Sequence, residues 1–133
     1  MELFPLENDL HLTGLRVSSF PNGIKEVFDR LYQSYGAERD YYGVSWMNEQ
    51  GQVIYYAMTR KEAIQAYPSE FETIIIPHGA YRTEIVLDWM RKTDCIKDVF
   101  HNLMTGLPKP DRNRPCIEWY QSDDKMLCMV RTD

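Results

Sequence analysis

The 133-residue sequence has few cysteines, no long apolar run and no excess of basic residues. Its three cysteines are irregularly spaced, which favours neither a disulfide framework nor a zinc site, and a reducing cytoplasm is the default compartment. No apolar stretch approaches the roughly 20 residues of a membrane helix, and the N-terminus, MELFPLENDL, lacks the features of a signal peptide. A net charge of −5 offers no basic surface to a phosphate backbone. We therefore expect a cytoplasmic protein that binds neither nucleic acid nor membranes directly.

Motifs for common catalytic chemistry are also missing. The sequence has no Gly-rich phosphate loop and no G-x-S-x-G segment. The histidines, His11, His78 and His101, fall in different predicted elements without metal-ligand spacing. The sequence therefore predicts no catalytic residue, metal or cofactor. Aromatic residues, in contrast, reach 13% and provide flat surfaces with polar edges for a core or a binding site.

Two segments of the chain resemble each other. IKEVFDRL (24–31) and IKDVFHNL (96–103) share the order Ile, Lys, acid, Val, Phe and Leu. In both, the apolar residues recur at i, i+3, i+4 and i+7, which predicts one apolar stripe on an amphipathic helix. The similarity continues downstream, where GVSWMNEQGQVIYYAMT (43–59) and CIEWYQSDDKMLCMVRT (116–132) both read as strand, polar turn and strand. An internal repeat is therefore predicted.

A further strand precedes each predicted helix, in LHLTGLRVSSF (10–20) and in YRTEIVLDWM (81–90), and FETIIIP (71–77) adds another. Neither unit alone buries a sheet face with one helix, whereas two joined units share a sheet. The predicted fold is α+β: two tandem strand–helix–strand–strand repeats with pseudo-twofold symmetry, one antiparallel sheet and two helices on one face. We expect a single domain over 1–133, with repeat one at about 8–60, a linker at about 61–70 and repeat two at about 71–133.

The segment RPCIEWYQSDD (114–124) places Glu118 at the centre of an apolar strand, where a carboxylate is costly without a partner. Strand alternation puts Cys116, Glu118 and Tyr120 on one face and Ile117 and Trp119 on the other. Glu118 either contacts a ligand, pairs with an internal Arg or Lys, or lies on a solvated face. The residues alone leave these interpretations open.

Other ligand-contacting residues follow from the hairpin and the repeat. If Asp123 and Asp124 form a two-residue turn, Met129 lies opposite Glu118. The repeat then puts Ser45 and Tyr56 on the equivalent face of unit one, and Trp89 lies near the mouth of the expected groove between the helices. The predicted ligand-binding residues are Glu118, Tyr120, Tyr56, Trp89, Ser45, Cys116 and Met129.

Two motifs carry a resemblance to a known family. FETIIIPHGAYRTEIV resembles the F-E-x-x-x-I-P-x-G-x-Y segment of GyrI-like domains, the effector-binding domains of AraC-type and multidrug-sensing bacterial transcription regulators. RPCIEWYQSDD is similar to that family's P-x-F-E-x-Y-x-x-D strand. The resemblance implies a groove between the two halves that binds amphipathic, often cationic, aromatic molecules. It also implies that Glu118 meets the cation and that Tyr120 is the family's tyrosine. SFPNG (19–23) and RKTDC (91–95) depart from the family pattern.

The predicted function is a stand-alone effector-binding domain without a DNA-binding part, whose partner is an amphipathic cationic or aromatic small molecule. One alternative is a hydrolase of strained electrophilic molecules that uses a pocket glutamate, which a second acid such as Glu84 or Asp88 would favour. The other is a protein-interaction module such as a gyrase-inhibitor-like protein, which an exposed apolar patch without a groove would favour.

Overall fold

The computed structural model describes residues 2–18, 20 and 22–132. The predicted α+β class is confirmed, with eight strands in one antiparallel sheet and two α-helices. Two short 3-10 helices, Trp89–Arg91 and Thr93–Cys95, precede the second α-helix. The elements in chain order are β1 (Glu2–Leu6), β2 (Leu10–Arg16), α1 (Ile24–Tyr35), β3 (Tyr41–Met47), β4 (Val53–Arg60), β5 (Glu72–Ile76), β6 (Gly79–Leu87), α2 (Ile96–Leu103), β7 (Cys116–Tyr120) and β8 (Lys125–Arg131).

The strand order is β1-β6-β8-β7-β3-β4-β2-β5. The predicted repeats therefore occupy equivalent places on either side of the central β7–β3 pair, with β6-β8-β7 on one side and β3-β4-β2 on the other. The pseudo-twofold axis itself stays a prediction, with which this order is consistent. β1 was not predicted as a strand. It precedes repeat one and pairs with β6 of repeat two, while β5 of repeat two pairs with β2 of repeat one.

The connections force the sheet to curl. β1 and β2 are first and seventh in the strand order, yet only residues 7–9 separate them. The four Cα–Cα steps from Leu6 to Leu10 reach at most about 14 Å, whereas six strand spacings in a flat sheet span about 29 Å. The two-residue link from β5 to β6 imposes the same constraint. The sheet therefore closes towards a barrel, and its two edges approach each other.

The curled sheet has two different apolar faces. Its concave face holds one buried cluster with members from all eight strands: Leu6, Leu10, Leu12, Tyr42, Val44, Ile54, Tyr56, Met58, Ile74, Ile76, Tyr81, Ile117, Leu127 and Met129. The convex face holds two smaller clusters, one under each helix. The predicted stripes supply the helix side of these clusters, where Leu31 of α1 and Phe100 and Leu103 of α2 are buried.

The two helices leave the middle of the convex face between them. α1 packs against β4, and α2 packs against β6 and β8, so β7 and β3 lie between the helices. In the described part of the chain, no helix is long and apolar enough to cross a membrane.

The β7–β8 hairpin corrects the predicted register. The backbone N–H of Gln121 donates to the carbonyl of Lys125 at 3.0 Å, which leaves a three-residue loop instead of the expected two-residue turn. Glu118 therefore lies opposite Cys128, and Met129 lies opposite Ile117. Because side chains alternate along a strand, this shift of one residue moves Met129 to the concave face.

Candidate functional site

Glu118 lies at the centre of the convex face, between the two helices. Its Oε1 accepts hydrogen bonds from the Tyr55 hydroxyl at 2.8 Å and from the Tyr120 hydroxyl at 2.5 Å. In the described part of the chain, no basic side chain forms an ion pair with Glu118. The residue is partly buried. Two interpretations that the sequence left open are therefore excluded for the described residues: Glu118 neither pairs with an internal Lys or Arg nor lies on a fully solvated face.

The second carboxylate oxygen of Glu118, Oε2, can still accept hydrogen bonds. Both tyrosines donate to Oε1, and no described residue donates to Oε2. Among the described residues, no buried side-chain oxygen lacks a hydrogen bond, so Oε2 is reachable from the surface. One oxygen is thus fixed by the protein, while the other can accept a further hydrogen bond or pair with a cation.

Burial raises the pKa of Glu118 above its ordinary value of 4.5, and the two tyrosine hydroxyls oppose that rise only in part. Burial and the neighbouring Glu118 charge raise the pKa values of Tyr55 and Tyr120 well above 10.0, so both remain hydrogen-bond donors at neutral pH. The site is therefore a single carboxylate that is costly to ionise until a cation approaches it.

Five aromatic rings form a cluster built on the two tyrosines that donate to this carboxylate. Phe20 stacks on Tyr55 at a centroid distance of 5.4 Å. Phe28 of α1 meets Tyr55 edge-on at 6.4 Å and Tyr120 at 5.5 Å. Trp89 packs on Tyr120 at 4.8 Å, and its Nε1 donates to the Ser122 carbonyl at 3.1 Å. Ring faces beside an acid form surroundings that suit a cation with a flat apolar body.

Gly43 makes room for this arrangement. It lies opposite Glu118 on the neighbouring strand. A Cβ at this position would lie 2.1 Å from the Tyr55 hydroxyl and 2.7 Å from Glu118 Oε1. The absence of a side chain at position 43 therefore allows the tyrosine to cross the β3 backbone and reach the carboxylate.

The structure places five of the seven predicted residues on the convex face. Glu118 and Tyr120 are in direct contact, and Trp89 contacts Tyr120. Cys116 is buried in the α2 cluster with its Sγ 3.8 Å from Met104 Sδ, and burial raises its pKa to about 12. Ser45 lies opposite Cys116 on β3. Their role in ligand binding stays a prediction.

The other two predicted residues, Tyr56 and Met129, belong to the concave cluster. Both residues were predicted on the face that carries Glu118. This placement is wrong because the observed hairpin register differs from the expected one by one residue. In the β3–β4 hairpin, the backbone N–H of Asn48 donates to the carbonyl of Gln52 at 2.9 Å, which leaves residues 49–51 as a three-residue loop. Gly51 has a φ of +77° in this loop. A glycine in this left-handed conformation is typical of three-residue hairpin loops.

Tyr55 is therefore one site residue that was not predicted from the sequence. The glycine in NEQGQ was the signal for the longer loop, and that loop turns Tyr55 instead of Tyr56 towards the helices. Phe28 and Gly43 were also missed. Phe28 was recognised only as part of the stripe of α1, and nothing in the sequence shows that Gly43 opposes Glu118.

Glu84 shares the convex face with Glu118. The two residues lie in one row across the sheet, each opposite Cys128 on the strand between them. Two strand spacings correspond to about 10 Å between their backbones. Burial and the Glu118 charge raise the pKa of Cys128 to about 12, so this thiol stays protonated between the two acids. Asp88, the other predicted acid, is exposed and pairs with Arg91.

Comparisons with known proteins give structural matches only. No family model and no curated protein sequence matches the chain. An integron cassette protein from the mobile metagenome of Vibrio cholerae is 14% identical with a TM-score of 0.71, over 98% of this chain and 94% of that protein. SAV2435, solved bound to tetraphenylphosphonium, is 15% identical with a TM-score of 0.65, over 97% and 91%.

A candidate bacterial transcription regulation protein from Staphylococcus aureus MU50 is also similar, at 15% identity and a TM-score of 0.60, over 97% of this chain and 95% of that protein. At these identities the likeness establishes a shared fold. The shared fold covers 97–98% of this chain and 91–95% of the chains of these structural neighbours.

Proposed function

We propose that this protein is a stand-alone GyrI-like effector-binding domain that reversibly binds an amphipathic cation between its two helices. The observation that carries the proposal is the Glu118 carboxylate. Two tyrosine hydroxyls fix its Oε1, its Oε2 is reachable, and no described basic residue pairs with it. A ligand cation would provide the missing charge partner, and the surrounding rings would pack on its apolar body.

The structural neighbours support this proposal. SAV2435 has the same fold and was solved with tetraphenylphosphonium, a cation that carries aromatic rings. Another neighbour is described as a transcription regulation protein. The net charge of −5 would also favour the approach of cations. We infer that the protein acts as a ligand sensor or a sequestering protein.

The proposal predicts that Glu118→Gln weakens tetraphenylphosphonium binding at least tenfold, about 1.4 kcal/mol. Glutamine keeps the shape of the side chain and accepts the tyrosine hydrogen bonds, but it removes the charge that the cation needs. Isothermal titration calorimetry on the wild type and the variant measures this difference directly.

Glu72→Gln is the matched control. Glu72 also accepts a hydrogen bond from a tyrosine, Tyr56, at 2.9 Å, but that tyrosine belongs to the concave cluster. This variant should bind tetraphenylphosphonium as the wild type does. Equal affinity in the Glu118 variant, or no saturable binding by the wild type, would contradict the proposal.

The affinity for tetraphenylphosphonium should rise with pH. Burial raises the folded-state pKa of Glu118 above 4.5, so the proton must leave above that pH before the carboxylate pairs with the cation. One pH unit below the raised pKa the affinity should be about tenfold lower than its plateau. Tetraphenylphosphonium does not titrate, so calorimetry from pH 4 to 8 reports on the protein. Glu118→Gln should remove this dependence, and a dependence retained in that variant would assign it to another group.

The raised pKa of Glu118 also predicts how the stability of the unliganded protein depends on pH. A carboxyl with a raised folded-state pKa binds its proton more tightly in the folded chain than in the unfolded chain. The unliganded wild type should therefore lose stability relative to Glu118→Gln as pH rises from about 4.5 through the raised pKa. Urea unfolding of both proteins over this range tests the sign.

A hydrolase is the second candidate function, and Glu84 is the observation that favours it. This acid shares the row of Glu118, whose raised pKa suits a general base. Turnover of a strained electrophile such as an epoxide that disappears in both Glu118→Gln and Glu84→Gln would favour this function over reversible binding. We favour binding because it requires only the contacts already described around Glu118.

A further inference from the structure

A second concavity lies on the other side of the sheet, at the seam where the two sheet edges approach each other. Its volume is about 540 Å³, within the range of about 300–1,000 Å³ that small-molecule sites occupy. The residues that line this seam cleft include Phe4, Glu7, Asp9, Arg60, Lys61 and Trp119. The sheet separates this cleft from Glu118, so it belongs to a different site.

Two adjacent basic side chains at the end of β4, Arg60 and Lys61, lie in one wall of the seam cleft. Arg60 and Lys61 form no ion pair with any described residue. Arg60 Nη2 donates to the Tyr42 hydroxyl at 3.1 Å. Tyr42 is buried, and this hydrogen bond fixes the position of the guanidinium. Lys61 Nζ has one long contact, 3.5 Å, to the Thr73 hydroxyl. Both cations therefore retain hydrogen-bond donors for an anion.

Aromatic rings form an apolar part of the wall of the same cleft. Trp119 is partly exposed and stacks on Tyr42 at 5.7 Å, while Phe4 meets the Trp119 ring edge-on at 6.3 Å. The Trp119 Nε1 donates to Asp40 Oδ2 at 3.2 Å, which fixes the indole plane. The ring therefore offers a rigid flat surface beside Arg60, since both side chains contact Tyr42.

Two acids also line the cleft, and the structure accounts for one of them. Asp9 Oδ1 accepts the backbone N–H of His78 at 2.7 Å and lies 2.6 Å from His78 Nδ1. These hydrogen bonds lower the pKa of Asp9 and engage its charge locally. Glu7 is exposed in the link between β1 and β2. Asp40 and Glu62 also interact with the charge of Arg60. The contacts to an anion would therefore come from the remaining donors of Arg60 and Lys61, and not from an excess of positive charge in the cleft.

We propose that the seam cleft is a second binding site, for a small planar carboxylate such as an aryl acid. The carboxylate would pair with Arg60 and Lys61, and the flat apolar part would pack on Trp119 and Phe4. An arginine held by a tyrosine suits a carboxylate because its planar fork matches two oxygens. The site is independent of Glu118 and selects a ligand of the opposite charge.

Indole N–H signals in a ¹H–¹⁵N correlation spectrum test this proposal. The chain has three tryptophans, and each reports on a different place: Trp89 beside Glu118, Trp119 in the seam cleft, and Trp46 on the concave face. 2-Naphthoate should shift the Trp119 signal saturably and leave the Trp89 signal in place. Neutral 2-naphthamide should bind at least tenfold more weakly, because it lacks the charge.

Arg60→Met should weaken 2-naphthoate binding at least tenfold while retaining the length of the side chain. Arg112→Met is the matched control, because Arg112 lies over the Trp46 ring at 5.8 Å and outside the seam cleft. The unchanged Trp89 and Trp46 signals of Arg60→Met show that it folds. An unmoved Trp119 signal, equal binding of 2-naphthamide, or equal loss in both variants would overturn the proposal, whatever the outcome with tetraphenylphosphonium.

Discussion

Replacing Gly14 by alanine should lower the free energy of unfolding by about 3–5 kcal/mol, at the upper end of single-residue effects. A Cβ at this position would lie 2.1 Å from the backbone oxygen of Ala57 and 2.8 Å from the Cα of Met58. These are backbone atoms of β4, to which β2 is hydrogen-bonded. No side-chain rotation relieves such a clash, so the two strands must separate locally.

Urea unfolding monitored by circular dichroism measures this loss. Gly36→Ala is the control, because nothing lies within 4 Å of a Cβ there and only the φ of +82° opposes a side chain. With its ψ of −175°, this backbone conformation is essentially restricted to glycine and costs about 1–3 kcal/mol for an alanine. A Gly14 variant no less stable than the Gly36 variant would show that β2 and β4 tolerate a wider separation than the structure has.

Gly43→Ala should lower tetraphenylphosphonium affinity at least tenfold and stability by about 1–3 kcal/mol. The obstructed atoms here are the Tyr55 hydroxyl and Glu118 Oε1, the ends of two side chains rather than backbone. The protein therefore has a less costly response than at Gly14, which is to displace the tyrosine from the carboxylate. The fold should persist, while Glu118 loses the hydrogen bond from Tyr55 and keeps only the one from Tyr120.

A double-mutant cycle with Tyr55→Phe separates this effect from general strain. Removal of the Tyr55 hydroxyl deletes the atom nearest to the added methyl group. The stability cost of Gly43→Ala should therefore be smaller in the Tyr55→Phe background than in the wild type. Additive costs, together with wild-type affinity in Gly43→Ala, would show that Tyr55 does not position Glu118 for the ligand.

The fold and the central acid were accessible from the sequence because both rest on local periodicity. The apolar stripes of α1 and α2 and the alternation along β7 required no knowledge of the partner strands. Edge strand β1 was not predicted, because its sequence, ELFPL, contains a proline and is short. Its pairing with β6 joins two strands that are far apart in the sequence, and local pattern gives no information on such a contact.

The sequence by itself determined the α+β class, the helices, and the face of β7 on which Glu118 lies. Only the tertiary structure decided what surrounds that carboxylate. The β3–β4 and β7–β8 hairpins both have three-residue loops. As a result, Tyr55 instead of Tyr56 lies on the face of Glu118, and Met129 lies on the opposite face. The curl of the sheet brought Arg60 beside Phe4 in the seam cleft, although the strands that carry them are far apart in the strand order. The physical reason is the same in both cases: a side chain's neighbours across a sheet depend on register and closure, which long-range pairing sets.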